Sequence, residues 1–157
     1  MDGEALEGCI KTAIEAFRHR DSHLLLVNAN ERAMTHKFAE HLQSALGDEW
    51  NVDCEYNRDG EIPKALHNLG RQRVRKDDSN ADTVFPDIIV HRRGKAGPNL
   101  IVIEAKKDAG SDADDHKKIE GYLLEFGYER AGLLRFITGE QFDVTFEWFE
   151  AATSLLQ

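Results

Sequence analysis

Three ionisable side chains lie at the ends of two apolar segments that have the length and composition of β-strands. Pro86 and Asp87 stand near the start of VFPDIIVHRR, while Glu104 and Lys106 stand near the end of NLIVIEAKK. Burying an unpaired charge costs on the order of several kcal/mol, so a core alone does not favour this placement. Carboxylate oxygens are ligands that hard divalent cations prefer. The pattern therefore indicates a metal site, and its structural alternatives are a turn acid at Asp87 and salt bridges from Glu104 and Lys106 to neighbouring elements.

Alternation along the second segment decides which side chains share a face. A strand has a side-chain period of two, so Glu104 and Lys106 point to one face and Ala105 to the other. Apolar residues occur on both faces, which predicts a strand covered on both sides. If strands 86–92 and 99–106 are neighbours joined through the turn RGKAGPN, Asp87 and Glu104 converge on one cation.

The two segments together resemble the signature of the PD-(D/E)XK nucleases, which have the restriction-endonuclease-like fold. Pro86-Asp87 matches the first half of the signature and Glu104-Ala105-Lys106 the second, with the two acids 17 positions apart (104 minus 87). The resemblance implies that Asp87, Glu104 and the backbone carbonyl of Ala105 bind Mg²⁺ or Mn²⁺. It also implies that Lys106 orients or deprotonates the attacking water and stabilises developing charge, and that the activity is phosphodiester hydrolysis.

A further acid, Glu31, is expected near this site. It precedes Met34 by three residues and Phe38 by seven, which places it on the inward edge of a helix, and relatives in the family often carry a helical glutamate near the metal. The alternative is a capping box in which Asn28 is followed three residues later by Glu31. We expect Glu31 to be an auxiliary catalytic acid and metal ligand.

Charge composition limits the choice of partner. A net charge of −9 is unfavourable for binding a polyanion, but a chain with its cations on one side can still do so. The basic segment RQRVRK, residues 71–76, is expected to bind nucleic acid, and its structural alternative is a solvated loop or helix end. Lys118 is also expected to bind nucleic acid, and its structural alternative is a lysine that faces solvent. Some exonuclease-type relatives carry Gln and Tyr where this chain has Lys118 and Tyr122, four residues apart. The residues expected to contact nucleic acid, with DNA favoured over RNA, are Arg71, Arg73, Arg75, Lys76, Arg92, Arg93 and Lys118.

Hydrophobic periodicity and turn residues predict the elements that position these side chains. Helices are expected over 4–18, 30–46 and 111–127, with Ser111 as the N-cap and Gly127 as the end of the third. Strands are expected over 52–58, 86–92, 99–106, 131–138 and 141–149. HLLLVNAN is either a short strand or the lead-in to the second helix. The resulting order, α-α-β-β-β-α-β-β, predicts an α/β fold with a central mixed sheet flanked by helices, of the restriction-endonuclease-like class.

Length and composition restrict the remaining alternatives. A chain of 157 residues fits a single domain over 1–157. Cys9 and Cys54 have no metal-ligand spacing and are expected to be free thiols. The longest apolar run near the start, Leu24 to Val27, is too short for a membrane span, so a cytoplasmic location is expected. A homodimer or a larger complex is expected if a duplex is cut on both strands.

Two functions from other classes remain open at this point. One is a catalytically inactive nuclease-fold module that binds nucleic acid or a protein partner. The other is a protein-binding domain that uses its acidic surface, which predicts no salt-sensitive affinity for nucleic acid. The nuclease function is favoured because all three positions of the signature are present.

Overall fold

Four helices and seven strands make up the described part of the chain. The computed structural model describes residues 1–56, 65–67, 81–83, 85–94 and 98–150, with 65–67 and 81–83 described for the backbone only. The helices are α1 (Gly3–Arg20), α2 (Ser22–Leu26), α3 (Glu31–Leu46) and α4 (Ala113–Glu125). The strands are β1 (Asn51–Cys54), β2 (Ala65–His67), β3 (Ala81–Thr83), β4 (Ile88–His91), β5 (Asn99–Lys107), β6 (Arg130–Ile137) and β7 (Asp143–Glu150).

A five-stranded mixed sheet organises the fold, in the order β1-β4-β5-β6-β7. β1, β4 and β5 form an antiparallel meander, β5 and β6 are parallel, and β7 returns antiparallel to β6. A parallel pair needs a crossover between its strands, and α4 supplies it between β5 and β6. β2 and β3 pair with each other in a separate two-stranded sheet.

Helices cover both faces of the sheet. On one face, α1 and α3 bury apolar residues at helical spacing against β4, β5 and β6, in a core that includes Phe17, Phe38, Ile103 and Phe136. On the other face, α4 packs Ile119 and Tyr122 against Val102 and Leu133 of the sheet. The prediction that β5 is covered on both sides is therefore confirmed, since its first seven residues are all buried.

The expected α/β class and mixed sheet are confirmed, and several boundaries differ from prediction. HLLLVNAN contributes to the short helix α2, in which Leu25 is buried and its carbonyl accepts a hydrogen bond from the Gly139 N–H at 3.1 Å. β1 ends at Cys54 because Glu55 adopts a left-handed φ of 51°. The short strands β2 and β3 were not among the predicted elements.

The predicted N-cap Ser111 and the alternative cap Asn28 are both wrong. Ser111 is not the N-cap of α4, because the helix begins after Asp112. Arg135 Nη2 donates hydrogen bonds to both carboxylate oxygens of Asp112 at 2.5 Å and fixes this residue at the start of the helix. Asn28 does not cap α3, because its φ of 56° belongs to the preceding turn. Asn30 is the N-cap instead, and its side chain accepts a hydrogen bond from the Ala33 N–H at 2.7 Å.

The described residues also bear on membrane spanning and on the state of the cysteines. Within them, no helix is both long and apolar enough to cross a bilayer. Cys9 and Cys54 are both free cysteines, as predicted.

Candidate metal centre and the adjacent cleft

The β4–β5 hairpin brings Asp87 and Glu104 together. Ile88 pairs with Ile103 in the antiparallel register, so extending the register by one residue places Asp87 opposite Glu104. Asp87 Oδ2 accepts a hydrogen bond from the Ala105 N–H at 2.7 Å, which fixes the carboxylate against β5. The predicted pairing of the two acids across neighbouring strands is present.

Glu104 is a deeply buried carboxylate with incomplete hydrogen bonding. It is 2% exposed, and its Oε2 lies 3.6 Å from the Lys118 ammonium of α4. Among the described residues, neither Glu104 Oε1 nor the buried Tyr122 hydroxyl has a hydrogen-bond partner of good geometry. The Tyr122 hydroxyl nevertheless lies close enough to Glu104 to lower the pKa of this carboxyl. Buried polar atoms are nearly always hydrogen-bonded in folded proteins, so an orphaned carboxylate oxygen is unusual.

Burial and mutual repulsion disfavour ionisation of this acid pair. Burial, followed by the negative charge of Asp87, raises the pKa of Glu104 to about 8, although Lys118 and Tyr122 oppose the rise. Burial also raises the pKa of Asp87, against the hydrogen bond from Ala105. A positive charge placed beside both carboxylates would offset this cost.

Glu31 of α3 contacts the end of β5 that lies near the acid pair. Its Oε2 accepts a hydrogen bond from the Lys107 N–H at 3.0 Å, which ties the first residue of α3 to the last residue of β5. Its negative charge contributes to the raised pKa of Asp87. The capping-box alternative is therefore wrong, because the Glu31 side chain bonds to the sheet and not to the start of its own helix.

Lys106, two residues after Glu104 on the same face of β5, has a partner of its own. Its ammonium donates a hydrogen bond to Asp115 Oδ2 of α4 at 2.9 Å, and Asp115 is buried. This hydrogen bond raises the pKa of Lys106, against the desolvation that lowers it. The sequence reasoning missed Asp115, although its place one helical turn before Lys118 is a signal that could have indicated it.

The residues expected to bind nucleic acid are only partly within the described chain. Arg71, Arg73, Arg75 and Lys76 lie outside the described residues. Arg92 stacks over Trp50 at 4.7 Å from the ring centroid, and Arg93 Nε donates a hydrogen bond to Asp53 at 2.9 Å. Lys118 faces Glu104. The three described residues therefore make intramolecular contacts, and their role in nucleic-acid binding stays a prediction.

A cleft of about 410 Å³ opens beside Asp87. It is lined by α3 on one side and by the end of β1 on the other: Glu31, Arg32, Thr35, His36, Cys54, Glu55 and Asp87. Cys54 is exposed, and partial desolvation of its thiol, followed by the negative charges of Asp53, Asp87 and Glu55, raises the pKa of the thiol. Asp87 is half-buried and forms part of the wall of this cleft.

The described side chains offer two convergent carboxylates as candidate metal ligands. Within the described ranges, no three His, Cys, Asp or Glu residues are grouped so that they could hold an ion together. The Ala105 carbonyl lies on the same side of β5 as the Ala105 N–H that bonds to Asp87, because both backbone groups of a strand residue point to the same neighbouring strand. Ligation by Ala105 and Glu31 stays a prediction.

No protein-family model matches this chain, and neither the curated proteins nor the solved structures contain a significant match.

Proposed function

We propose that this chain is a divalent-cation-dependent nuclease that hydrolyses phosphodiester bonds, with DNA favoured over RNA, and that its fold is restriction-endonuclease-like. The observation that carries the proposal is the pairing of Asp87 with a buried Glu104 whose Oε1 has no partner among the described residues. Two buried carboxylates whose surroundings oppose their ionisation do not stabilise a hydrophobic core. A cation bound between them would explain why the fold places them together.

The arrangement of the sheet supports the proposed fold. The acids lie on an antiparallel hairpin, β4–β5, and the crossover helix α4 then leads to the parallel strand β6. α3 contributes Glu31 from the other face of the sheet. This arrangement is compatible with the restriction-endonuclease-like fold implied by the sequence signature.

In the proposed reaction, Asp87 and Glu104 would hold the cation, with the Ala105 carbonyl and Glu31 beside them. Mg²⁺ or Mn²⁺ bound there would supply Lewis-acid stabilisation of the charge that develops on the scissile phosphate and the leaving oxygen. The hydrogen bond to Asp115 favours the protonated form of Lys106. A protonated Lys106 would donate hydrogen bonds to the attacking water and to phosphate oxygens, so we assign it positioning and charge stabilisation.

The decisive experiment is cleavage of plasmid, single-stranded DNA and RNA by the wild type and by Asp87→Asn. Mg²⁺, Mn²⁺ and a chelator are compared, and Asp48→Asn, which neutralises an exposed aspartate, is the matched control. We expect metal-dependent cutting by the wild type and the control and none by Asp87→Asn, with unchanged circular dichroism. Equal cutting by all three proteins would contradict the proposal.

A second candidate function, an inactive nuclease-fold module that binds nucleic acid or a protein, is favoured by one contact. The Lys118 ammonium already lies 3.6 Å from Glu104 Oε2, where it partly neutralises the acid pair without a metal ion. The acidic net charge of −9 adds to this alternative. Nucleic-acid binding without cleavage of any of the three substrates, in either metal, would support the module over the nuclease.

A further inference from the structure

The cleft beside Asp87 contains one strongly exposed arginine. Arg32 follows Glu31 directly on α3 and lines the cleft together with Asp87. Its side chain is 83% exposed. Arg92 and Arg93, in contrast, contact Trp50 and Asp53 at the other end of β4. Arg32 is therefore well placed to meet an anionic ligand that enters the cleft.

The contact that Arg32 makes is one that a ligand can replace. Arg32 pairs with Glu55 across the cleft at 2.9 Å, and the Glu55 side chain is 49% exposed. Exposed ion pairs contribute little to stability because solvent screens them. Two oxygens of a tetrahedral phosphate can accept hydrogen bonds from one guanidinium, as the two oxygens of a carboxylate can, so phosphate can take the place of Glu55.

Glu55 links this ion pair to the proposed metal centre. The Glu55 N–H donates a hydrogen bond to the backbone carbonyl of Asp87 at 3.2 Å. On the opposite wall, Arg32 is adjacent in sequence to Glu31, whose carboxylate bonds to the end of β5. A phosphate bound to Arg32 would therefore lie in the same cleft as Asp87. A nucleic-acid strand could then place one phosphate at the proposed metal centre and the adjacent phosphate at Arg32.

We propose that Arg32 binds a backbone phosphate of the nucleic-acid substrate next to the scissile one, and that Glu55 competes with that phosphate for the Arg32 guanidinium. This inference rests on the proposed function, since it concerns the substrate of the same cleft. It makes Arg32 a substrate-binding residue and Glu55 a built-in competitor that weakens binding. Residues at the two ends of one ion pair then have opposite effects on affinity.

The test compares two ion pairs of similar exposure. Arg32→Ala and Glu55→Gln alter the cleft pair, while Lys11→Ala and Glu7→Gln alter a pair on α1 with a 2.8 Å contact and exposures of 70% and 48%. Binding of fluorescently labelled single-stranded and duplex DNA and single-stranded RNA is measured by anisotropy in chelator at several NaCl concentrations. Steady-state cleavage in Mg²⁺ is measured alongside.

We expect Arg32→Ala to weaken binding about tenfold and to reduce the slope of log affinity against log salt by about 1, as loss of one phosphate contact predicts. Glu55→Gln should tighten binding about threefold because it frees the guanidinium. Both control variants should stay within about twofold of the wild type. In cleavage, Arg32→Ala should raise KM about tenfold and change kcat by less than about threefold.

The possible failures are distinguishable. If Arg32→Ala and Glu55→Gln weaken binding equally, the ion pair has only a structural role and the inference is overturned. If the wild type binds and cuts nucleic acid while Arg32→Ala behaves like Lys11→Ala, the inference fails and the proposed nuclease function stands. If the wild type neither binds nor cuts any substrate tested, both fail together.

Discussion

Two clusters of buried and partly buried charge lie at opposite ends of β4, and they differ in how completely their carboxylates are satisfied. In the Asp53 cluster (Asp53, His91 and Arg93), Asp53 Oδ2 contacts His91 Nε2 at 2.7 Å and accepts a hydrogen bond from Arg93 Nε at 2.9 Å. In the Glu104 cluster (Asp87, Glu104 and Lys118), a second carboxylate faces Glu104, and the Lys118 ammonium is 3.6 Å away.

The two clusters shift the pKa of their acids in opposite directions. Burial raises the pKa of Asp53, but hydrogen bonds from Arg93 and His91 outweigh burial and the net pKa is lowered. Burial and Asp87 raise the pKa of Glu104 to about 8, and the opposing groups are too weak to reverse that rise. Hydrogen-bond donors directed at the carboxylate decide the sign.

This difference indicates a structural role for the Asp53 cluster and a ligand-binding role for the Glu104 cluster. The Asp53 cluster joins β1 to β4 through strong donors, and the Tyr56 ring packs over His91 at 4.7 Å between centroids. The Glu104 cluster has excess negative charge and an orphaned oxygen among the described residues. A buried carboxylate is therefore not by itself evidence of a functional site. A buried carboxylate that lacks sufficient hydrogen-bond donors does indicate one.

Neutralising Glu104 should produce the largest effect, complete loss of activity with a retained fold. Glu104→Gln keeps the size of the side chain but removes a negative charge that the proposed cation needs. Mg²⁺ or Mn²⁺ at about 100 times its Kd should stabilise the wild type by about 2.7 kcal/mol, and this stabilisation should disappear in the variant. Thermal unfolding with and without metal, together with the cleavage assay, checks both outcomes. An equal metal-induced shift in wild type and variant would place the cation elsewhere.

The pH dependence of stability should follow the raised pKa of Glu104. Between the ordinary value of 4.5 and about 8, the folded protein keeps a proton that the unfolded chain releases. The free energy of unfolding should therefore fall as pH rises through this range, by up to about 1.4 kcal/mol per pH unit from this group. Urea unfolding in chelator, from pH 5 to 8.5, should show that the stability of Glu104→Gln relative to wild type increases with pH. Parallel curves would show that Glu104 ionises normally.

Neutralising Asp53 should give a smaller effect of the opposite kind, a loss of stability with activity retained. Asp53→Asn weakens the charge-assisted contacts to His91 and Arg93, so we expect a loss of about 1–3 kcal/mol in the free energy of unfolding at pH 7. Asp143→Asn, in the exposed Arg18–Asp143 pair, is the matched control and should lose much less. Loss of cleavage by a folded Asp53→Asn protein would remove the distinction between the two clusters.

Much of the candidate site could be predicted from local pattern. The period of two placed Glu104 and Lys106 on one face of β5, and the short connection between two apolar segments predicted the antiparallel β4–β5 hairpin. Helical spacing predicted α1 and α3 close to their observed bounds. These features depend on neighbours within a few positions, where sequence spacing and spatial distance are closely related.

Contacts between distant segments were missed or assigned to the wrong partner. Asp115 is nine residues from Lys106 but meets it because the crossover helix packs over β5, and Glu31 reaches Lys107 across 76 positions. The Arg32–Glu55 pair joins α3 to the end of β1. Each side chain also had a local explanation, such as a helix cap or a solvated surface, and single-sequence periodicity could not reject it.

The sequence by itself determined the strands that carry Asp87, Glu104 and Lys106 and the face on which the last two lie, because backbone stereochemistry fixes alternation along a strand. The tertiary structure alone decided which charges find donors. That outcome depends on distances between elements far apart in the chain, and it leaves Asp53 satisfied while Glu104 Oε1 has no partner in the described part of the protein. Electrostatic energy changes steeply with such distances inside a low-dielectric core, so residue types and spacing alone could not predict it.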